Sequence, residues 1–215
     1  MVQTVSAKKT DKHVVFTRGL KVLSPAHKEV KRLKKDAHLP SIHGDKVWNS
    51  SFLVMDYLAR NKPPKTSTMM DLGCGWGLLG IYASNKLVKR VVAVDADADV
   101  FPYLALHQEI NGAKNIDTLV RRFEKLKKSD FDGVHTIAGA DICFWDALAP
   151  VLHKMIKKAI KAGAKRVIIA DPGRDPFYEL VAMCEKDKAL ACKVVEKTTT
   201  KPKAACADLM IVTPV

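Results

Sequence analysis

Asp71-Leu72-Gly73-Cys74-Gly75-Trp76-Gly77-Leu78-Leu79-Gly80 is the stretch on which the reading of this chain turns. It follows a short apolar run, Thr68–Leu72, and opens into Leu78–Lys86, which has helical character. Alternate glycines let a backbone turn sharply and approach a ligand with no Cβ in the way. The helix start behind them offers free N–H groups. The next apolar run, Arg90–Asp95, ends on a carboxylate that can accept both ribose hydroxyls of an adenosine. Gly75 to Gly80 also spells GxGxxG, with Asp95 at the distance where a dinucleotide site places its acid.

Three features favour S-adenosylmethionine (SAM) over a dinucleotide. Asp71 precedes the glycines, where an acid suits a ligand carrying an amino group and a sulfonium better than a pyrophosphate. The chain leaves no room for a separate dehydrogenase substrate domain. Its tail also reads as two strands, Ala191–Glu196 and Ala207–Thr213, with no crossover helix between them; they must pair antiparallel.

Outward from the glycine loop, strand and helix alternate. Strands are predicted at Thr68–Leu72, Arg90–Asp95, Ile116–Val120, Val134–Gly139 and Arg166–Ala170, and helices at Leu78–Lys86, Asp99–Asn111, Phe144–Lys161 and Pro176–Lys186. Leu148, Val151, Leu152, Met155, Ile156, Ala159 and Ile160 form an apolar stripe on the longest of these. The fold expected is α/β: a Rossmann-like, doubly wound, mostly parallel sheet with a C-terminal antiparallel hairpin at its edge. Upstream, Asn49–Arg60 reads as a helix burying Phe52, Met55 and Ala59. Ser24-Pro25 reads as the start of another, with Ala26, Val30, Leu33 and Ala37 inward. Residues 1–23 suggest an arm or a short strand. The division expected is a basic N-terminal arm and helix over 1–46 and a SAM-dependent methyltransferase domain over 47–215.

The 215 residues carry 36 Lys and Arg against 23 Asp and Glu, a formal charge of +13. Residues 1–46 hold eleven of the bases and four of the acids. Such a field favours an acidic partner, either an acidic protein or RNA; a solvated lysine face is the plain alternative. No apolar run approaches a membrane span, and Met1–Lys9 has no apolar signal region. Five cysteines without a CxxC pair fit reduced thiols. The expectation is a cytoplasmic protein without a membrane partner, and no metal site, since the histidines show no HxH or HExxH spacing.

Asp71-Leu72-Gly73-Cys74-Gly75-Trp76-Gly77 resembles the first motif of class I, seven-β-strand SAM-dependent methyltransferases, and the element order from 66 to 215 matches that fold. Gly44-Asp45-Lys46-Val47-Trp48 before a helix, and Gly139-Ala140-Asp141-Ile142-Cys143-Phe144 after the fourth strand, resemble the lysine methyltransferases within the class. Ala170-Asp171-Pro172-Gly173-Arg174 resembles the electron-transfer-flavoprotein β-subunit lysine methyltransferases. Where that group carries Asp-x-x-Tyr, this chain has Phe144, keeping the aromatic ring without its hydroxyl. The resemblance implies a SAM-dependent N-methyltransferase acting on a protein lysine. An RNA methyltransferase and a non-catalytic SAM-fold binding module are the alternatives.

Methyl transfer from a sulfonium needs donor and acceptor aligned, water excluded and one proton managed. Asp71 is expected to face the methionine end of SAM, over a floor of Gly73, Gly75 and Gly77. Asp95 would hold the ribose, Trp48 cover the cofactor and Phe123 lie on the adenine. Asp141 is the catalytic candidate, ending the fourth strand where ligands of such sheets bind. It can orient an amine and take its proton, with Phe144 and Trp145 walling the acceptor slot. Capping a helix from Phe144 is its competing role.

Overall fold

The computed structural model describes residues 11–36, 38–41 and 43–215. Seven strands form one sheet: β3 (Thr68–Leu72), β4 (Arg90–Asp95), β5 (Ile116–Val120), β6 (Val134–Ala140), β7 (Arg166–Asp171), β8 (Leu190–Thr199) and β9 (Ala205–Pro214). Their spatial order is β5-β4-β3-β6-β7-β9-β8. The first five are parallel, while β9 runs antiparallel to both its neighbours. The C-terminal hairpin therefore sits at the edge, its second strand inserted between β7 and β8. Both its strands run longer than their apolar cores suggest, because pairing continues through Thr199↔Ala205.

Helices cover both faces. On one, α2 (Ser50–Arg60) and α3 (Leu78–Lys86) bury Phe52, Leu53, Met55, Leu58 and Ile81 against the strands. On the other, α5 (Leu148–Lys161) and α6 (Asp175–Lys186) bury Leu152, Met155, Ile156, Phe177 and Leu180. The helix α4 (Phe101–Ile110) follows a 3-10 turn at Ala98–Val100, with Pro102 in its first turn. In α2 the buried phase is Phe52, Met55, Leu58, and Ala59 is exposed: the larger side chain takes the inward position.

A two-stranded hairpin, β1 (Val14–Thr17) and β2 (Leu20–Leu23), precedes the sheet. Its turn, Arg18-Gly19, has positive φ at both residues, the twist that suits a tight hairpin. Arg18 holds that conformation through a paired contact with Asp56 of α2 (2.8 and 2.6 Å) and a bond to the Lys201 carbonyl. Leu20 and Val22 join the α2–α3 core. The next helix, α1, spans Lys28–Lys35 and begins later than Ser24-Pro25 suggests. The His27 side chain, its Nε2 3.4 Å from an Asp11 carboxylate oxygen, accepts the Glu29 N–H at Nδ1 and becomes the cap, leaving Ala26 exposed before it. Val30 and Leu33 are buried as expected; Ala37 lies outside the described residues.

The chain leaves β3, visits β4 and β5, then crosses back to β6 on the other side of β3. The carboxyl ends of β3 and β6 thus flank the crevice where the direction of winding reverses, the place such sheets bind ligands.

Candidate active site

A cavity of about 520 Å³ opens at that crevice. Its lining brings together Gly73, Gly75, Asp95 and Phe123 with Asp141 and the rings of Trp48, Phe144 and Trp145. Leu148 and Val151 of α5 close the wall beside them.

The three loop glycines all have positive φ, but they differ in surroundings. A Cβ on Gly73 would meet Ile142 at 2.6 Å, and one on Gly77 would meet Leu104 at 2.5 Å. Around Gly75 nothing stands within 4 Å of that position. Gly75 is therefore bare toward a ligand, whereas Gly77 is demanded by packing and does not line the cavity. Trp76, between them, points away: it is buried, stacks on Tyr103 (centroids 5.2 Å apart) and donates its indole N–H to the Gly44 carbonyl at 2.8 Å.

Asp71 also stays out of the cavity lining. It is buried beneath the loop, where its Oδ2 accepts the Gly80 N–H at 2.8 Å in the first turn of α3. Burial pushes its pKa up to about 7, against the lowering effect of that hydrogen bond. Asp95 does reach the cavity. Its two oxygens accept the N–H groups of Gly75 (3.0 Å) and Asp97 (3.1 Å). Burial raises its pKa, and the backbone donors Gly75, Asp97 and Ala96 pull it back.

Asp141 follows the last residue of β6 and continues the ladder through its N–H to the Ala170 carbonyl, 2.8 Å. Its φ of 56° is left-handed, rare for a residue with a side chain. It caps no helix. Residues 141–147 form an irregular loop and α5 begins only at Leu148, so the capping role expected from a helix at Phe144 is absent. The carboxylate is 5% exposed and accepts Nη1 of Arg174 at 3.2 Å. Burial raises its pKa; hydrogen bonds from Ser50, at the start of α2, and from Arg174 oppose the rise. The same Nη1 bonds Asp171 at 2.7 Å.

Part of the cavity lining is an aromatic wall. His43 stacks on Phe144 (centroids 4.4 Å), Trp48 meets Phe144 edge-on at 5.2 Å, and Trp145, half exposed, tilts against both His43 and Phe144. Two cations lie on it: Arg174 over Phe144 at 4.4 Å and Lys46 over Trp48 at 4.1 Å. Trp48 is pinned by its indole N–H to the His43 carbonyl, 2.9 Å. It thus lines the cavity as part of the cluster with His43 and Phe144.

Residues 69–172 match the family described as methyltransferase domain. Over that stretch the chain carries a methyltransferase domain. It is similar to the electron transfer flavoprotein beta subunit lysine methyltransferase of Homo sapiens, 28% identical over 131 residues, covering 60% of this chain and 49% of the relative. The zebrafish (Danio rerio) protein of the same name is 30% identical over 135 residues, 61% and 50%. The chain therefore spans about half the length of the curated relatives it matches. Among solved structures, magnesium protoporphyrin IX methyltransferase from Synechocystis, with bound SAM, superposes with a TM-score of 0.61 at 14% identity over 89% of this chain and 88% of its own.

The residues of the methyltransferase cavity fit SAM. The bare Gly75 backbone leaves open space, and Asp95 lines the same cavity with a carboxylate able to accept the hydroxyls an adenosyl group would bring. Phe123 lies across from Gly73 and presents a flat apolar face. Of the eight residues expected to form the site, six line this one cavity: Trp48, Gly73, Gly75, Asp95, Phe123 and Asp141. Asp71 and Gly77 support the loop from behind. His43, which lines the cavity, and Arg174, which touches Asp141 and Phe144 beside it, carry no site reading in the sequence. Arg174 stood in the quoted Asp-Pro-Gly-Arg turn, but only the fold shows that this turn aims it at Asp141.

Among the described residues no group of His, Cys, Asp or Glu is arranged to hold a metal ion, and no helix is long and apolar enough to cross a membrane.

Proposed function

We propose that this chain transfers the methyl group of SAM to the side-chain amine of a protein lysine. One observation carries the reading: a buried carboxylate, Asp141, lines the same cavity as a bare glycine loop with its Asp95 and the aromatic rings of Phe144, Trp145 and Trp48. Bound SAM supplies an electrophilic methyl on a sulfonium. The chain's residues do the rest. Gly73, Gly75, Asp95 and Phe123 hold and orient the adenosyl end; Asp71 and Gly77 keep the loop in shape. The aromatic wall admits a slender alkyl-amine, excludes water and favours a cation at its ring faces. Asp141 orients the amine and accepts its proton.

The names of the relatives point to the same acceptor class. In this reading residues 47–215 are the catalytic domain and residues 1–46 recruit an acidic protein through their excess of lysines, in a cytoplasmic setting. Lys31 and Lys35 of α1 are exposed, free to meet such a surface. Reversing Lys31, Lys34 and Lys35 to Glu should raise the substrate KM and flatten its salt dependence, leaving SAM affinity untouched. The central test is tritium-methyl transfer from labelled SAM into lysate, followed by protease or RNase. Protease-sensitive label that appears as methyl-lysine on hydrolysis is expected. RNase-sensitive label would turn the reading to RNA, and SAM binding without any label would reduce the chain to a binding module.

A further inference from the structure

We propose that Arg174 is a positioning residue that keeps Asp141 ionised and aimed into the acceptor slot, with Asp171 as its anchor. The inference rests on the methyltransferase reading above and adds to it a residue outside the glycine loop and the slot.

The geometry is built in layers. Asp171, at the end of β7, is fully buried. Its Oδ1 accepts the N–H groups of Gly173 (3.0 Å) and Arg174 (2.8 Å), so the turn after β7 folds around this carboxylate. Oδ2 of Asp171 then accepts Arg174 Nη1 at 2.7 Å, fixing the arginine side chain from its far end. The face of the guanidinium lies on the Phe144 ring at 4.4 Å, which closes the remaining freedom. The fourth contact, 3.2 Å to Asp141 Oδ1, reaches the carboxylate itself. The short bond is the anchor; the longer one is the contact with the base.

Such an arrangement answers a difficulty that the site creates for itself. An isolated carboxylate, almost wholly buried beside aromatic rings, prefers to be protonated, and a protonated Asp141 accepts nothing from an incoming amine. Asp141 is faced by Ser50 from α2, by Arg174 and Asp171 from the turn after β7, and by Cys143 from its own loop. Arg174 is the sole cation of that group. Because a guanidinium keeps its charge and this one is bonded to Asp171, it stabilises the ionised form while its own bond occupies only Oδ1 of Asp141. In the reaction, the proton lost by the acceptor ammonium passes to Asp141, and the freed lone pair attacks the methyl carbon. The carbon–sulfur bond breaks with its electrons staying on sulfur.

The test compares wild type with Arg174→Gln and Arg174→Lys in the full chain. The Asp141 carboxyl is titrated by carbon-13 NMR, a readout that needs no turnover, and kcat/KM is followed against pH. An opposite charge at this range is worth about one to three pH units. In Arg174→Gln the Asp141 titration and the acid limb of the profile should both move up by about that much. The rate below the limb should fall roughly tenfold or more and recover at high pH. Arg174→Lys, which keeps the charge without the planar fork, should move the titration less than Arg174→Gln. If Gln does not fold, Arg174→Met against Arg174→Lys provides the same comparison. An unmoved titration with a rate loss equal at every pH would make Arg174 a purely structural residue and overturn the proposal. A wild type that never labels lysine would sink the methyltransferase reading instead, while the NMR titration would still report on Arg174.

Discussion

Two glycines two residues apart should respond to the same substitution in opposite ways. Gly75 and Gly77 both have left-handed backbones, at φ 51° and 71°, so alanine at either brings a conformational strain of about 1–2 kcal/mol. At Gly77 the new Cβ would also sit 2.5 Å from Leu104 Cγ and 2.6 Å from Cδ1. Leu104 is 2% exposed and has nowhere to retreat, so overpacking adds about 1–3 kcal/mol. For a chain of this size each kcal/mol lowers Tm by about 2–4 °C. Gly77→Ala should therefore lose about 10 °C, Gly75→Ala about half that or less. The binding experiment should invert the order. Gly75→Ala places a methyl group at the ligand face and should weaken SAM at least about tenfold by calorimetry, as a displaced close contact does. Folded Gly77→Ala should bind nearly as wild type. Equal melting temperatures, or a Gly75→Ala chain that binds SAM normally, would refute the division of labour inside the loop.

Three further outcomes are expected. Asp95→Ala should weaken SAM by about 1.5–3 kcal/mol, the worth of hydrogen bonds to a charged group, with Tm little altered; unchanged affinity would remove Asp95 from the cofactor site. Asp71 has its folded pKa raised to about 7 from 3.8, so the stability it contributes is full below about pH 4 and lost as pH rises toward 7. Asp71→Asn should erase that decline in a Tm-against-pH series, and a wild-type curve flat over the window would contradict the assignment. Asp141→Asn should keep Tm and SAM affinity but lower kcat by roughly 10²–10⁴, the contribution of a positioned acid–base group; a fully active variant would remove Asp141 from the mechanism.

The parts of this fold that could be read in the sequence are those ruled by local periodicity. Strands β3, β4 and β5 fall where alternating apolar runs ended on turn residues, and the glycine loop lies between β3 and α3 as its spacing required. What escaped was decided at long range. The β1–β2 hairpin turns on Arg18, a residue no turn rule selects; its partners Asp56, Thr199 and Lys201 are distant in the chain. The periodicity starts α5 at Phe144, four residues ahead of Leu148, because Phe144 and Trp145 look like its first apolar turn. In the fold they leave the helix to pack on His43 and Trp48. Asp71 carries a contact that the spacing does not announce: an acid before the glycines reads as a ligand contact, and the first turn of α3 turns the Gly80 N–H toward it.

The backbone at Asp141 bears on function independently of any relative. A left-handed φ strains a residue with a Cβ, and glycine or asparagine relieves that strain at many such positions. Here the chain carries instead a carboxylate, and it also buries it, which adds a desolvation cost. Neither cost is offset by helix capping, since α5 starts beyond the loop. Ser50 and Arg174 lessen the second cost but need Asp141 in this conformation to reach it. A strained and buried charge, supported from two other elements and turned toward a cavity, is hard to explain by stability alone. The simplest physical account is that the carboxylate is retained for what enters the cavity. Asp141→Gly separates the alternatives: stability should hold or rise as strain is relieved, while transfer to an amine is lost.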